Sequence, residues 1–214
     1  WQNEARTGVP QVHYIEGKQV SFDAKSRDAE VIGQGTLLVQ DLTPPAPGEP
    51  EPDLGYRGTT MFEWQGGMEM KELVDGRYDM SMTRQVTMRH RGMDGRIATL
   101  QTPRLEVTAK QRDAAQSPGG LDFGGQVQLM RFVARATEAD PLSRVLLEGL
   151  GNTINASSVD YNYEPALMQI RGTSRNPAMF STEKQITPTR ASEILWDLRN
   201  GTIRFKDAST NNPR

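Results

Sequence analysis

Between Met61 and His90 the chain alternates apolar and polar residues with a period of two, and that alternation is the strongest constraint on its fold. Even positions carry Phe62, Trp64, Met68 and Met70, then Tyr78, Met80, Met82, Val86 and Met88. The odd positions between them are almost all polar, including Glu63, Gln65, Glu69, Lys71, Asp79, Ser81, Thr83, Gln85 and Thr87. A helix would scatter these apolar residues around its axis, whereas a pair of strands gathers them on one face. The link Leu73-Val74-Asp75-Gly76-Arg77 sets the register. A two-residue Asp-Gly turn pairs Val74 with Arg77 and sends the two apolar faces to opposite sides. A three-residue loop, with Gly76 left-handed, pairs Leu73 with Arg77 instead. That register predicts Met70 opposite Met80, Met68 opposite Met82, Trp64 opposite Val86 and Phe62 opposite Met88. It also puts Arg84 on the apolar face, across from Gly66. There the stem either lies along the sheet with its guanidinium at an edge, or holds a cation inside an apolar groove for a phosphate or carboxylate head group.

Similar short alternating runs recur at 19–24, 36–41, 104–109, 158–163 and 202–207, between Gly, Asn, Asp and Pro. The expected class is therefore all-β, with antiparallel hairpins. The exception is 138–149, where Asp140-Pro141 reads either as a helix start or as a turn into a strand RVLLEG. A Pro-rich loop over 42–58 and a Gly-rich connector over 113–125 interrupt the pattern, and neither suits a central strand. The three blocks they leave are too short to fold alone, so the expectation is one domain over 1–214.

An internal repeat accompanies the alternation. ASSVDYNYEPALMQIRG (156–172) and ASEILWDLRNGTIRF (191–205) share Ala-Ser, then apolar-x-aromatic, a turn and a return strand. KQVSFDAKSRDAEVIGQG (18–35) has the same form. Phe22, Tyr161 and Trp196 occupy the aromatic position, and stacking such hairpins extends a sheet without closing it.

Composition removes several functions. Basic and acidic residues number 25 and 27, for a net charge of −2, so no field points to nucleic acid. With no cysteine there is no disulfide, thiolate metal site or cysteine nucleophile. The two histidines, His13 and His90, lie far apart in sequence, and no phosphate loop, zinc-protease or nucleophile-elbow pattern occurs. Asn155-Ala156-Ser157 fits a glycosylation acceptor, a triplet that also arises by chance. The expectation is a non-enzymatic protein without a cofactor.

Six of the ten methionines fall within 61–91. Unbranched, polarisable methionines either fill an irregular core or line a surface that adapts to variable ligands such as acyl chains. Their density on one hairpin favours the lining.

The repeated units quoted above, with the methionine hairpin, resemble the OstA/LptA-like and LptC-like β-jellyrolls of lipopolysaccharide transport. Members carry tandem segments of the kind Ala-x-x-apolar-x-aromatic-Asp, turn, apolar strand, Gly, and the likeness extends over most of 11–206. The Pro-rich insertion and long connectors mark this chain as a divergent member. The resemblance implies a folded-over sheet stack in the periplasm or cell envelope. Its inner faces would form an apolar groove shielding the acyl chains of a lipopolysaccharide-like amphiphile. Its end strands would join other jellyrolls, or copies of itself, edge to edge, within an envelope transporter complex. The groove would be lined by Phe62, Trp64, Met68, Met70, Tyr78, Met80, Met82, Val86 and Met88, with Phe22, Tyr161 and Trp196 added from the repeat. Arg84 would meet the head group. The competing expectation is an interaction module that assembles through its sheet edges and fills the groove with its own side chains.

Overall fold

A computed structural model describes residues 12–42, 57–73, 76–112, 126–137, 140, 143–185 and 187–209. These form fifteen antiparallel strands joined in one sheet, and no helix occurs among the described residues. In chain order they are β1 Val12–Asp23, β2 Asp28–Asp41, β3 Gly58–Trp64, β4 Gly67–Glu72, β5 Arg77–Gly92, β6 Ile97–Arg112 and β7 Gln126–Arg135. The remainder are β8 Val145–Gly149, β9 Asn152–Ala156, β10 Ser158–Asn162, β11 Leu167–Arg171, β12 Ala178–Thr182, β13 Thr189–Ala191, β14 Glu193–Asp197 and β15 Thr202–Lys206. The ambiguous stretch at 138–149 therefore resolves into a strand, Val145–Gly149. Gly58, the last residue of the expected Pro-rich loop, opens β3, whereas 43–56 and 113–125 lie outside the described residues.

One line of irregularities crosses the four longest strands, β1, β2, β5 and β6. The β1–β2 register shifts between Gly17 and Gln19. β2 pairs with β3 from Gly35 onward but with β4 up to Ile32, and Gln65-Gly66 separates those two partners. β5 bulges at Arg84-Gln85. β6 pairs with β8 up to Gln101 and with β7 from Arg104 onward. Pro103 stands at that switch, where it has no N–H to give to a ladder. The Thr102 hydroxyl lies 2.9 Å from the Arg104 carbonyl and 3.1 Å from that of Arg135. The line continues through the bonds Ala136 N–H to Ser157 O, Ser157 N–H to Arg171 O, Gly172 N–H to Ser192 O and Ser192 N–H to Lys206 O. A Cβ on Gly172 would stand 2.1 Å from the Ala178 nitrogen, so the chain passes there only as glycine.

This line is a crease, and it divides the sheet into two layers. Layer A holds the start of β1, the end of β2, β3, the end of β5, the start of β6, then β8, β9, β12 and β13. Layer B holds the complementary halves of β1, β2, β5 and β6, with β4, β7, β10, β11, β14 and β15. The layers fold face to face over one apolar cluster. Phe180 of β12 meets Trp196 of β14 nearly edge-on, with ring centroids 5.6 Å apart, and Phe205 of β15 at 6.0 Å.

The repeat has a geometric basis. Asp23 pairs with Asp28, Asn162 with Leu167 and Asp197 with Thr202, so three hairpins share a four-residue loop. The last loop residue is left-handed in each: Arg27, Ala166 and Gly201. In two of the three an aspartate caps the turn. Asp23 Oδ1 accepts from the Lys25 and Ser26 amides, and Asp197 Oδ1 from those of Arg199 and Asn200. These amide bonds hold both carboxyls below the ordinary aspartate range.

Candidate functional site

The methionine hairpin takes the counted register. Met70 stands opposite Met80 and Met68 opposite Met82. Phe62 stands opposite Met88. The Leu73 amide donates to the Arg77 carbonyl at 2.7 Å, and Gly76 is left-handed with φ 66°. Trp64 and Val86, next in line, are both buried on the same inner face, where the ladder gives way to the bulge. Trp64 is tied to the crease by its indole N–H, which donates to the Gly33 carbonyl at 3.0 Å. Both Val74 and Asp75 lie outside the described residues.

Two expectations need correction. The first concerns Arg84. Parity puts it on the apolar face, but its φ of 61° and that of Gln85, 51°, belong to a bulge that opposes two β5 residues to one of β6. The extra residue breaks the alternation and turns the side chain outward, so Arg84 is exposed. It does lie across from Gly66, where a Cβ would meet the Thr83 carbonyl at 2.8 Å and the Arg84 Cγ at 3.0 Å. Arg84 borders a hollow lined also by Glu30, Glu69, Thr83 and Arg104.

The second correction concerns access. Phe62, Trp64, Met68, Met70, Tyr78, Met80, Met82, Val86 and Met88 do share one inner face, but each is at most 5% exposed. β3 and β4 cover β5 on one flank and β6 on the other, while the second layer closes the face from above. The ladder is therefore sealed, not partly accessible. Tyr161 packs with Phe132 and Tyr163 at centroid distances of 5.5 and 4.7 Å, also without exposure.

The inner face surfaces only toward the two ends of the sheet. β1 pairs only with β2, and β15 only with β14, among the described strands. On β1, Ile15, Val20 and Phe22 face inward but lack a further strand beside them. Val20 remains 39% exposed, and Ile15 and Phe22 are partly buried. On β15, Ile203 and Phe205 face the same interior, with Phe205 at 38%. Near that end Ala98, Leu147, Leu150 and Ile154 face Met168 and Trp196 across a cleft of about 10 Å³. That space is too small for an acyl chain as it stands. Trp196, at the cleft, is the most exposed of the aromatic residues expected to line a groove apart from Phe22.

His90 is a buried titratable group on β5. Its Nδ1 lies 2.9 Å from the Thr60 hydroxyl, and burial lowers its pKa to about 4 despite the opposing pull of Asp94. His13 pairs with Val39 on β1 through its backbone, and its side chain lies outside the described residues. No group of acidic and histidine side chains that could hold a metal ion occurs among the described residues. Asn155, of the glycosylation triplet, sits within β9 between β8 and β12, with its Oδ1 buried. That is an unsuitable place for a glycan.

Neither a family model nor a curated protein matches this chain. The geometry of the creased sheet therefore carries the functional reading by itself.

Proposed function

We propose that this chain is a non-enzymatic β-jellyroll of the cell envelope, which binds or relays an amphipathic, lipopolysaccharide-like lipid between its two layers. The observation that carries the reading is the single apolar interior that surfaces at both end strands, where Val20 and Phe205 face inward yet stay more than a third exposed. An acyl chain reaching the interior from such an end displaces soft methionine side chains at lower cost than branched ones, because methionine re-packs across several rotamers. Further β-jellyrolls, or copies of the same chain, pair with the open edges of β1 and β15 and continue the interior from one molecule to the next.

The sealed methionine ladder favours a second reading, an interaction module that assembles through the same edges and carries no lipid. Delipidated protein and a fluorescent fatty acid separate the two. Lipid binding predicts saturable uptake, reduced about tenfold by Val20→Asp with Phe205→Asp while the thermal transition is retained, a factor equal to about 1.4 kcal/mol. No uptake by the wild type, together with concentration-dependent oligomers in sedimentation, would overturn the lipid reading in favour of the second.

A further inference from the structure

The outer faces of the two layers differ in chemistry. Layer B presents a lattice of ion pairs and hydrogen bonds. Arg131 pairs with Asp160, Arg135 with Glu106 at 2.7 Å, Arg104 with Glu106 at 3.0 Å, and Arg171 with Glu193 at 3.3 Å. Layer A, at its margin away from the crease, presents apolar and basic groups instead. Cross-strand pairing aligns Tyr14, Leu38, Met61 and Arg89 in one row over β1, β2, β3 and β5. The next row sets Arg91 beside Ile97. The β5–β6 turn then adds Met93 and Arg96. Ile97 is 56% exposed, Tyr14 50% and Met93 46%, and Leu38 and Met61 are half-buried between them.

Charge on this margin is of one sign near the turn. Residues 89–97 hold three arginines and one carboxylate, Asp94, which engages Arg96. His90, in the same stretch, points inward and is neutral near pH 7. Carboxylates also face outward from layer A, but they sit on the side of the patch away from the turn, with Glu63 on β3 opposite Thr87. Glu16 accepts a hydrogen bond from the Tyr14 hydroxyl at 2.8 Å, and Glu148 lies on β8 opposite Thr99.

We propose that this margin of layer A docks on an anionic lipid bilayer. Met93 and Ile97 project from the β5–β6 hairpin to the depth of the head groups, and Arg89 and Arg91 beside them meet lipid phosphates. Apolar side chains combined with arginines of long apolar stem suit an interface with an apolar and an anionic zone. The phosphates supply the charge complementarity that an uncharged protein surface lacks. Because the patch lies on the outer face, its docking is independent of whether a lipid occupies the interior.

Co-sedimentation with vesicles tests this, comparing phosphatidylcholine alone with phosphatidylcholine containing roughly one-third phosphatidylglycerol, a fraction chosen to give a negative surface potential. The wild type is expected to pellet with the anionic vesicles, less so as salt rises, and to stay in solution with the neutral ones. Arg89→Glu with Arg91→Glu should weaken binding at least about tenfold. Met93→Ser with Ile97→Ser should weaken it several-fold, and Arg171→Glu on layer B should leave it unchanged. All four residues of the two test variants are exposed, so far-UV circular dichroism and the thermal midpoint should match the wild type in each. Fatty-acid uptake should also be unaltered, which separates failure here from failure of the lipid-cargo reading. Absence of wild-type binding, equal binding to neutral vesicles, or unchanged binding by both double variants would each overturn the proposal.

Discussion

The methionine hairpin and the end hairpin of β1 with β2 carry the same kind of alternation yet meet opposite fates. Met68 and Met82 are at most 2% exposed, whereas Val20, equally inward-facing, is 39% exposed. What separates them is the number of neighbours. β5 has strands on both flanks and a layer above, while β1 is the last strand and is covered on one flank only. An apolar face in a sheet is thus core or surface according to its distance from the end of the stack. The pliable interior and its accessible apolar rim are different residues.

Charge substitution breaks this comparison most sharply. Met82→Asp or Met68→Asp places an unpaired carboxylate in a sealed interior and should cost several kcal/mol, on the order of 3–5, enough to unfold a domain of ordinary stability. Such variants cannot test ligand access in a folded protein. Val20→Asp should cost less than about 1 kcal/mol, as surface changes usually do. Denaturant titration of the three variants reads the difference, and equal losses would contradict the contrast between centre and end.

Acid titration comes next in size. His90 is buried and neutral, with a folded pKa of about 4 against an ordinary 6.5. The unfolded chain therefore binds a proton that the folded chain refuses. Stability from this group is complete above pH 6.5 and falls as the pH drops toward 4, by at most about 3 kcal/mol. His90→Gln should flatten that part of the stability–pH curve. On the end hairpin the sign is that of a carboxylate. Asp23, held below its usual range by the Lys25 and Ser26 amides, contributes stability that is lost only as the pH falls through its lowered folded pKa. Fully exposed, it should give a much smaller change, seen as a slight drop in thermal midpoint for Asp23→Ala.

The smallest effect is expected at the bulge. Because Arg84 points outward and sits in the left-handed region, Arg84→Gly should change stability by no more than about 1 kcal/mol, and in the stabilising direction if backbone strain outweighs lost rigidity. A loss comparable to that of Met82→Asp would mean that the side chain is inside after all.

The strands of the central hairpin were legible because their constraint is local. Only one loop length aligns Met68, Met70, Met80 and Met82 on a single face, and that count needs nothing beyond residues 61–91. The three repeated hairpins are legible for the same reason, through an apolar-x-aromatic strand, a polar turn and a return strand, whereas the shared four-residue loop emerges only from the pairing. Arg84 was misread because parity arguments assume an unbroken ladder. Nothing in Thr83-Arg84-Gln85-Val86 marks a bulge, which arises because β5 must cross the crease in step with β2, β3 and β6. Segment 138–149 is ambiguous in sequence because its five-residue strand is too short for periodicity to decide, and pairing with β6 and β9 decides it. The apolar margin of layer A was missed altogether, since Tyr14, Leu38, Met61 and Ile97 are scattered over more than eighty residues of sequence and adjoin only through cross-strand pairing.

The amino-acid sequence by itself determined the strand class, the hairpin registers and which residues share a face, because period-two alternation and loop length act over a few residues. Only the tertiary structure decided where the sheet creases, that Arg84 turns out, and that the methionine face closes while Val20 and Phe205 stay open. Those outcomes depend on which distant strands lie beside and above a given residue, and burial is set by those neighbours.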